Sequence, residues 1–446
     1  MVTLEEMLNA REIRQERIVA ALHHAPLVSF SMNIPGPVKD SPLIRRGFRE
    51  GCRRLEAALA DHSLQLLDLV ECETGCEALF SAAGNALAIK QVCSEIEDSD
   101  QLGRLFDMDV IGSDGRKLDR IELGRSQRGC MVCGAEGRGC AARRLHSVED
   151  LQRETKRRLR EHFFLHDCQS IAALATQSLI DEVNTTPKPG LVDRANNGSH
   201  SDMDLALFEK SAAALTPYWR ECFRIGVDTA DHSPQETFFR LRREGLAAEA
   251  IMLAATDGVN THKGAIFLMG ILCGAAGRLW DAALPCRDPD TLCRECSRMT
   301  AAPLQEELGQ IAAQNHADTA GAHLYLLHGL RGARGEAMDG LPGIRETALP
   351  ALKQALSQGH SAQHSAAISL LHLISRGTDT NMVKRGGPDG AAWGALAAKK
   401  LLETDAFPSN EQIAALDLAF IQRNLSPGGC ADLLAATLFL ARWEVG

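Results

Sequence analysis

Aromatic side chains are scarce in this chain: Phe, Trp and Tyr make up 4% of 446 residues, with only two Tyr and four Trp. Proteins that hold single-stranded nucleic acid stack bases on aromatic platforms, and those that hold a duplex need a basic footprint to displace phosphate counterions. The second is missing as well. The net charge is −10, and its excess falls after residue 158, where roughly 33 Asp and Glu stand against about 25 Lys and Arg. General nucleic-acid binding is thereby excluded. No apolar run approaches the ~20 residues of a bilayer span. The opening MVTLEEMLNAREIRQER reads as a charged helix and not as a secretory signal. The expectation is a cytoplasmic protein with no membrane partner. No fixed-period repeat is present, which disfavours a solenoid. Cysteine, by contrast, is plentiful at fourteen, but spread over a long intracellular chain these are expected to be reduced thiols and not a disulfide framework.

A chain of 446 residues, 45% hydrophobic and 24% charged, has the balance of a globular protein and exceeds what one ordinary core supports. Two domains are expected. The first segment mixes periods. Helix-like LEEMLNAREIRQERIVAALHH precedes strand-like PLVSFSMNI, and the proline-rich turn PGPVKDSP leads into the helix LIRRGFREGCRRLEAALADH. LQLLDLVECETGCEALFSA alternates like a strand pair, GNALAIKQVCSEIED is helical, and RLFDMDVI followed by SDGR reads as a hairpin with Asp-Gly at its turn. This is an α+β domain over 1–160. The basic run VEDLQRETKRRLREHF joins it to an Ala- and Leu-rich segment without a convincing strand, an all-α multi-helix domain of ten or more helices over 165–446.

In GRLFDMDV, Asp107 and Asp109 stand two apart on a strand, so both carboxylates project from one face. Adjacent carboxylates repel unless a cation lies between them, and Mg²⁺ with a substrate polyphosphate is the usual one. This is an arrangement for metal-dependent nucleotidyl transfer; a solvated strand face is the plain alternative. Arg104 flanks the pair. NIPGPVK ends a rigid loop in Lys39, followed by Asp40, Arg45 and Arg46, either cations for phosphate or a tight connection. Arg45, Arg46, Arg49, Arg53 and Arg54 form a basic helix face that would draw an acidic partner, or else a solvated face. Cys130, Cys133, Cys140 and His146 have a spacing that closes a tetrahedral Zn²⁺ site, or are four unrelated reduced side chains. Cys293 and Cys296 lack further ligands nearby and read as surface thiols.

Five polar clusters interrupt the helical segment. NTTPKPGLVDRANNGSHSDM offers Lys188, Asp193, Arg194, His200 and Asp202 as substrate contacts. ATDGVNTHKG holds Asp257, Asn260, Thr261, His262 and Lys263 at the head of an apolar helix, where free N–H groups and Lys263 make an anion site. The loop-like HGLRGARGEAMDGLPG adds Arg331, Arg334 and Glu336. DTNMVKRGG gives Asp379, Lys384 and Arg385, and NLSPGGCAD gives Ser426, Gly428, Gly429 and Asp432. Caps and solvated loops explain any one of these. Together they point to a site at helix ends, with cations for a polyphosphate and carboxylates for Mg²⁺ or general-base work.

These five stretches closely resemble triphosphoribosyl-dephospho-coenzyme A synthase over roughly 165–446. AREIRQERI, NIPGPVKDSPLIRRGF, GRLFDMDV and CMVCGAEGRGCAARRLHS resemble citrate lyase holo-acyl-carrier-protein synthase over about 1–160. The resemblance implies a fused, bifunctional transferase. In the C-terminal reaction the ribose 2′-hydroxyl of 3′-dephospho-CoA attacks C1 of the ribose of ATP and adenine leaves. In the N-terminal one a serine of the citrate lyase acyl carrier protein attacks the phosphorus next to that ribose and pyrophosphate leaves. On this reading Asp107 and Asp109 hold the metal, with Arg104, Lys39 or Arg45 screening. Lys188, Lys263 and Arg385 clamp the triphosphate, Asp193 and Asp379 hold Mg²⁺, and Asp257 or Glu336 takes the proton. Cys430 stands where the resemblance leads one to expect Ser, and Met382-Val383 is loosely typical. Two other readings are a Mg²⁺-dependent nucleotide N-glycosyl hydrolase and a carrier-binding scaffold without chemistry.

Overall fold

The computed structural model describes every residue except 1, 24, 136–139, 141–142, 144, 318 and 446. The chain divides into two compact units, Met1–His166 with the short segment Asp281–Leu284, and Asp167–Trp280 with Pro285–Gly446.

The first unit is built on five antiparallel strands, β1 (Leu27–Met32), β2 (Gln65–Cys72), β3 (Gly75–Ser81), β4 (Phe106–Ile111) and β5 (Lys117–Leu118), in the order β2-β3-β1-β4-β5. Period-two alternation in FDMDVI buries Phe106, Met108 and Val110 and turns Asp107 and Asp109 to the other face, as the sequence pattern requires. The register sets Ser29 opposite Asp109 and Ser31 opposite Asp107 on that face. Helix α1 (Leu4–Ala21) starts with a Thr3/Glu6 capping box. Helix α2 (Pro42–Ala58) starts at Ser41, whose hydroxyl accepts from the Ile44 amide at 3.2 Å, with Pro42 in the first turn where its missing N–H costs nothing. α2 packs Phe48 onto Phe30 with ring centroids 4.9 Å apart, and Phe106 meets Phe30 edge-on at 5.3 Å. Gly51 is needed there, because a Cβ would lie 2.3 Å from the Phe30 ring. Helix α3 (Ala86–Asp98) is capped by Asn85.

Helix α4 (Val148–Asn184) contributes its first part to this unit and its remainder to the second. The second unit continues with α5 (Leu205–Ala214), α6 (Thr216–Asp228), α7 (Pro234–Ala255), α8 (Lys263–Arg278), α9 (Pro289–Gln314), α10 (Ala320–His328), α11 (Gly332–Met338), α12 (Leu349–Ser357), α13 (Ala362–Ser375), α14 (Thr380–Thr404), α15 (Asn410–Gln422) and α16 (Gly428–Val445). It has no strand among the described residues. α8 is apolar on all sides and lies in the core, as such a helix must. It approaches α6 so closely that a Cβ on Gly226 would lie 2.1 Å from the Gly274 carbonyl oxygen, and one on Gly277 2.1 Å from that of Phe223.

Two expectations are corrected here. Cys293 and Cys296 are not surface thiols. On α9 their i, i+3 spacing aligns them with Leu292 and Met299 on the inner stripe, and burial pushes the Cys293 thiol up to about 12. GARGEAM is not a loop but the short helix α11, so Arg334 and Glu336 project from a helical turn. No described helix is long and apolar enough to cross a membrane.

Candidate functional site

On the first unit the candidate groups gather around the Asp107/Asp109 face. Partial desolvation, then the charge of Asp109, raise the pKa of the half-exposed Asp107 carboxyl above the usual carboxylate range. Lys117 Nζ lies 2.5 Å from Asp109, and Arg128 Nη2 lies 3.7 Å from Asp107 and 3.5 Å from the buried Glu97. Arg128 also donates through Nη1 to the Phe106 carbonyl at 2.7 Å, and Lys90 Nζ donates to the Met108 carbonyl at 2.9 Å. The sequence reading missed Lys117, Arg128, Lys90 and Glu97; alternation around β4 predicts only which β4 residues share a face, not what reaches them. Arg104 donates to the Gly129 carbonyl, and burial followed by Arg128 lowers its pKa.

Lys39 and Arg45 serve elsewhere. Lys39 donates to the Ile34 carbonyl inside its own loop, and burial lowers its pKa. Arg45 forks onto Asp40 at 2.8 and 2.6 Å, with Glu71 3.6 Å away. Arg49 pairs with Glu71, Arg53 with Glu50, and Arg54 with Glu50 and Asp100. The basic face expected to attract an acidic partner is therefore largely matched by the chain's own carboxylates. The ligand atoms of Cys130, Cys133, Cys140 and His146 all lie within 4.8 Å of one another.

On the second unit, a cleft of about 1160 Å³ opens where three helices begin. Lys263 and Gly264 start α8, Thr380 and Asn381 start α14, and Gly428 and Gly429 start α16, so that the positive dipole ends of three helices line one space. Asp379 caps α14, its Oδ1 accepting from the Met382 amide at 2.9 Å, while Oδ2 accepts from the Cys430 amide at 2.8 Å. Burial raises its pKa. Asp432 is shifted furthest, by burial and then by the charges of Glu182 and Asp379, with the Ala265 amide opposing. Gly264 has to be glycine, because a Cβ would fall 1.9 Å from Asp432 Oδ2. Glu336 accepts from the Gly343 amide at 2.8 Å and lies 3.4 Å from Arg376 Nη2, and burial raises its pKa.

His200, Asp202, Asn260, Lys263, Arg334, Glu336, Asp379, Arg385, Ser426, Gly428 and Gly429, all drawn from separate stretches, meet in this cleft. Lys263 Nζ is 2.7 Å from Glu249, Arg385 Nη1 donates to the Ser199 carbonyl at 2.8 Å, and His200 Nε2 is 2.8 Å from Ser426 Oγ. Arg331 pairs with Asp339, and Arg334 with Glu307 at 3.1 Å. Glu249, Arg242 and Arg376 line the cleft and were missed, since each sits within or just after a helix where a charged residue reads as solvated.

Five candidates lie outside it. Lys188 is buried and donates to Glu182 Oε1 at 2.6 Å and to its carbonyl at 2.8 Å, so it supports the loop and is not a triphosphate clamp. Asp193 accepts from the amides of Lys188, Ala195 and Asn196, as an Asx turn does, and does not line the cleft where Mg²⁺ was expected. Arg194 is exposed beside it. Asp257 is exposed in the turn after α7, at φ 54°, and cannot be the base of this cleft. His262 lies buried behind the wall, 2.7 Å from Ser211 Oγ, with its pKa lowered to about 3 by desolvation. The polar stretch 184–203 is thus mostly an internally bonded plate, fixed by Asp417 to Gly190 N at 2.8 Å and Asn196 Nδ2 at 2.9 Å; it delivers His200 and Asp202 to the cleft.

Residues 168–446 match the family model described as ATP:dephospho-CoA triphosphoribosyl transferase, and residues 2–162 match that described as apo-citrate lyase phosphoribosyl-dephospho-CoA transferase. The chain is 34% identical to "Protein CitXG" of Haemophilus influenzae over 98% of this chain and 96% of that protein. It is 33% identical to "Protein CitXG" of Leuconostoc mesenteroides over 99% and 97%. It is also 46% identical to the 2-(5''-triphosphoribosyl)-3'-dephosphocoenzyme-A synthase of Pectobacterium atrosepticum, over 63% of this chain and 90% of that one. With both family matches in one polypeptide and relatives that span it from end to end, the chain belongs to the bifunctional transferases that join an apo-citrate lyase phosphoribosyl-dephospho-CoA transferase to a triphosphoribosyl-dephospho-CoA synthase.

Proposed function

We propose that the cleft of the second unit carries out triphosphoribosyl transfer from ATP to 3′-dephospho-CoA, and that the Asp107/Asp109 face of the first unit passes the phosphoribosyl-dephospho-CoA group to a serine of the citrate lyase acyl carrier protein. The observation that carries the first assignment is the convergence of three helix N-termini with Lys263, Lys384 and Arg385 on one space that also holds Glu336, Asp379 and Asp432. Backbone N–H groups and the cations suit a triphosphate. Burial raises the pKa of both Asp379 and Asp432, the charge of Asp379 adds to the shift of Asp432, and the two carboxylates on one space would hold Mg²⁺. When bound, Mg²⁺ would offset phosphate charge. Glu336, whose raised pKa brings it nearer neutrality, takes the proton of the attacking 2′-hydroxyl. As adenine leaves, the ribose gains positive charge at C1, and these carboxylates stabilise it.

On the first unit, Asp107 and Asp109 share the repulsion that a divalent cation relieves, and would hold Mg²⁺. Lys117 and Arg128 then face the departing pyrophosphate, in the nucleotidyltransferase-like manner of a carboxylate pair on a strand. The setting is the cytoplasm, where carrier, ATP and dephospho-CoA occur together.

The test is to incubate the whole chain with ATP, Mg²⁺ and 3′-dephospho-CoA, follow the products by chromatography and mass spectrometry, and then add the carrier protein. Free adenine with a triphosphoribosyl adduct is expected, followed by a mass increase on the carrier. Adenine without the adduct would mean that water is the nucleophile, and no adenine would overturn the assignment of the cleft.

A further inference from the structure

We propose that Cys130, Cys133, Cys140 and His146 bind one Zn²⁺ in a closed four-ligand site, and that this ion fastens the loop holding Arg128 beside the Asp107/Asp109 face.

Three thiols and an imidazole are a donor set that zinc takes up as a tetrahedron, with Zn–S near 2.3 Å and hence sulfur–sulfur separations of roughly 3.7 Å. The four ligand atoms already lie within 4.8 Å of one another, and Cys133 Sγ and Cys140 Sγ are 3.4 Å apart. Their burial is graded as a closed site needs, with Cys140 inside, Cys130 and His146 partly covered and Cys133 at the rim. An independent observation comes from the imidazole: His146 Nε2 is buried and has no hydrogen-bond partner among the described residues. A polar nitrogen withdrawn from water without a partner costs free energy unless something binds it. A disulfide between Cys133 and Cys140 would explain two of the four side chains and leave Cys130 and His146 converging on nothing.

The backbone is folded for the purpose. Cys130 N donates to the Ala135 carbonyl at 2.8 Å and Gly134 N to that of Cys130 at 2.9 Å, with Gly134 at φ 73°, so the chain reverses just after Cys133 and closes back on Cys130. Gly129 admits no side chain, since a Cβ would come 2.6 Å from the Gly134 carbonyl oxygen.

The loop's outer bonds give the ion its consequence. The Gly129 carbonyl accepts from Arg104, Arg128 reaches the Phe106 carbonyl and faces Asp107, and the Met131 carbonyl accepts from Arg158 Nη2 at 2.9 Å. Arg128, beside the carboxylate pair, and Arg104, bonded to the same loop, are thus held by the residues that lead into the first zinc ligands. The ion itself takes no part in the chemistry, because all four of its positions are filled by protein.

The experiment measures zinc in the full chain, purified under reducing conditions without added metal, by elemental mass spectrometry alongside protein concentration. About one zinc per chain is expected, falling below about 0.2 in Cys133→Ser and in His146→Ala and unchanged in Cys286→Ser. The metal-free chain titrated with Co²⁺ should show the thiolate-to-cobalt absorption and the strong visible bands of a tetrahedral site. The two zinc-site variants should lose at least about tenfold in carrier modification while releasing adenine at the normal rate, which also reports that the second unit is folded. A chain whose cysteines are all reduced yet which contains no stoichiometric zinc and takes up no Co²⁺ overturns the proposal. So does zinc that persists in both variants, or a Cys133–Cys140 disulfide found in its place.

Discussion

Asp107 and Asp109 project from β4 beside Lys117 and Arg128, and the residue-scale question is which groups act and which only support. If the pair holds the metal at the pyrophosphate, Asp109→Asn keeps shape and hydrogen bonding but removes half the negative charge. Carrier modification should fall by at least about a hundredfold with adenine release unchanged, as read by following both products from one incubation. His262 shows the opposite case, a titratable group kept out of the chemistry. Its pKa is about 3 in the fold, where desolvation is the main cause and Lys188 adds to it, whereas an unfolded histidine titrates near its ordinary value. Above that ordinary value neither state binds the proton, so nothing is lost. As pH falls below it the unfolded chain takes up a proton that the folded one refuses, and stability drops until the folded pKa is reached. By pH 5 this amounts to about 2 kcal/mol. His262→Gln removes the proton but can keep the bond to Ser211, so urea unfolding at pH 7 and pH 5 should show a smaller loss than in the unaltered chain.

The elements bring these residues together, and their role is clearest where a loop and a helix start depend on one carboxylate. Asp417, on α15, accepts from Gly190 N and Asn196 Nδ2 and so anchors the stretch that carries His200 to Ser426. Gly190 can be only glycine, at φ 69° with the Leu425 carbonyl oxygen 2.1 Å from where a Cβ would stand. Asp417→Ala leaves a buried amide unpaired, at a cost of about 1–3 kcal/mol. Thermal unfolding should shift down by several degrees, and KM for ATP should rise more than kcat falls, because the loop positions and does not react. What could be read in advance follows from the same physics. Period-two alternation gives β4 and its shared carboxylate face from the letters FDMDVI, and Gly-Gly before an apolar run gives the start of α16. The destinations of Lys188 and Asp193 were not legible, because a sequence shows that a charge is present but not that Glu182 or three backbone amides already occupy it. Helical phase decides Cys293 and Cys296, since Leu292 and Met299 beside them mark the buried stripe. Glu249 could be found only once α8 set Lys263 against it.

At the scale of the whole molecule, the two sites draw on separate parts of the chain. The carboxylate face and its cations lie between residues 90 and 128, and the cleft is lined from residue 200 to residue 433. If each site works within its own compact unit, neither reaction needs a side chain from the other. A chain carrying Asp109→Asn should therefore still make the triphosphoribosyl adduct, and one carrying Arg385→Ala, which loses a cation at the head of α14, should still modify the carrier when given that adduct. Neither alone converts ATP and 3′-dephospho-CoA into a modified carrier. Mixed in solution they should do so together, at a rate that climbs with the concentration of either variant, because the adduct must leave one molecule and enter another. A mixture that stays inactive at every concentration, while each variant performs its own half-reaction, would show that the adduct made in the cleft never leaves the polypeptide that made it, and the independence of the two sites would have to be given up.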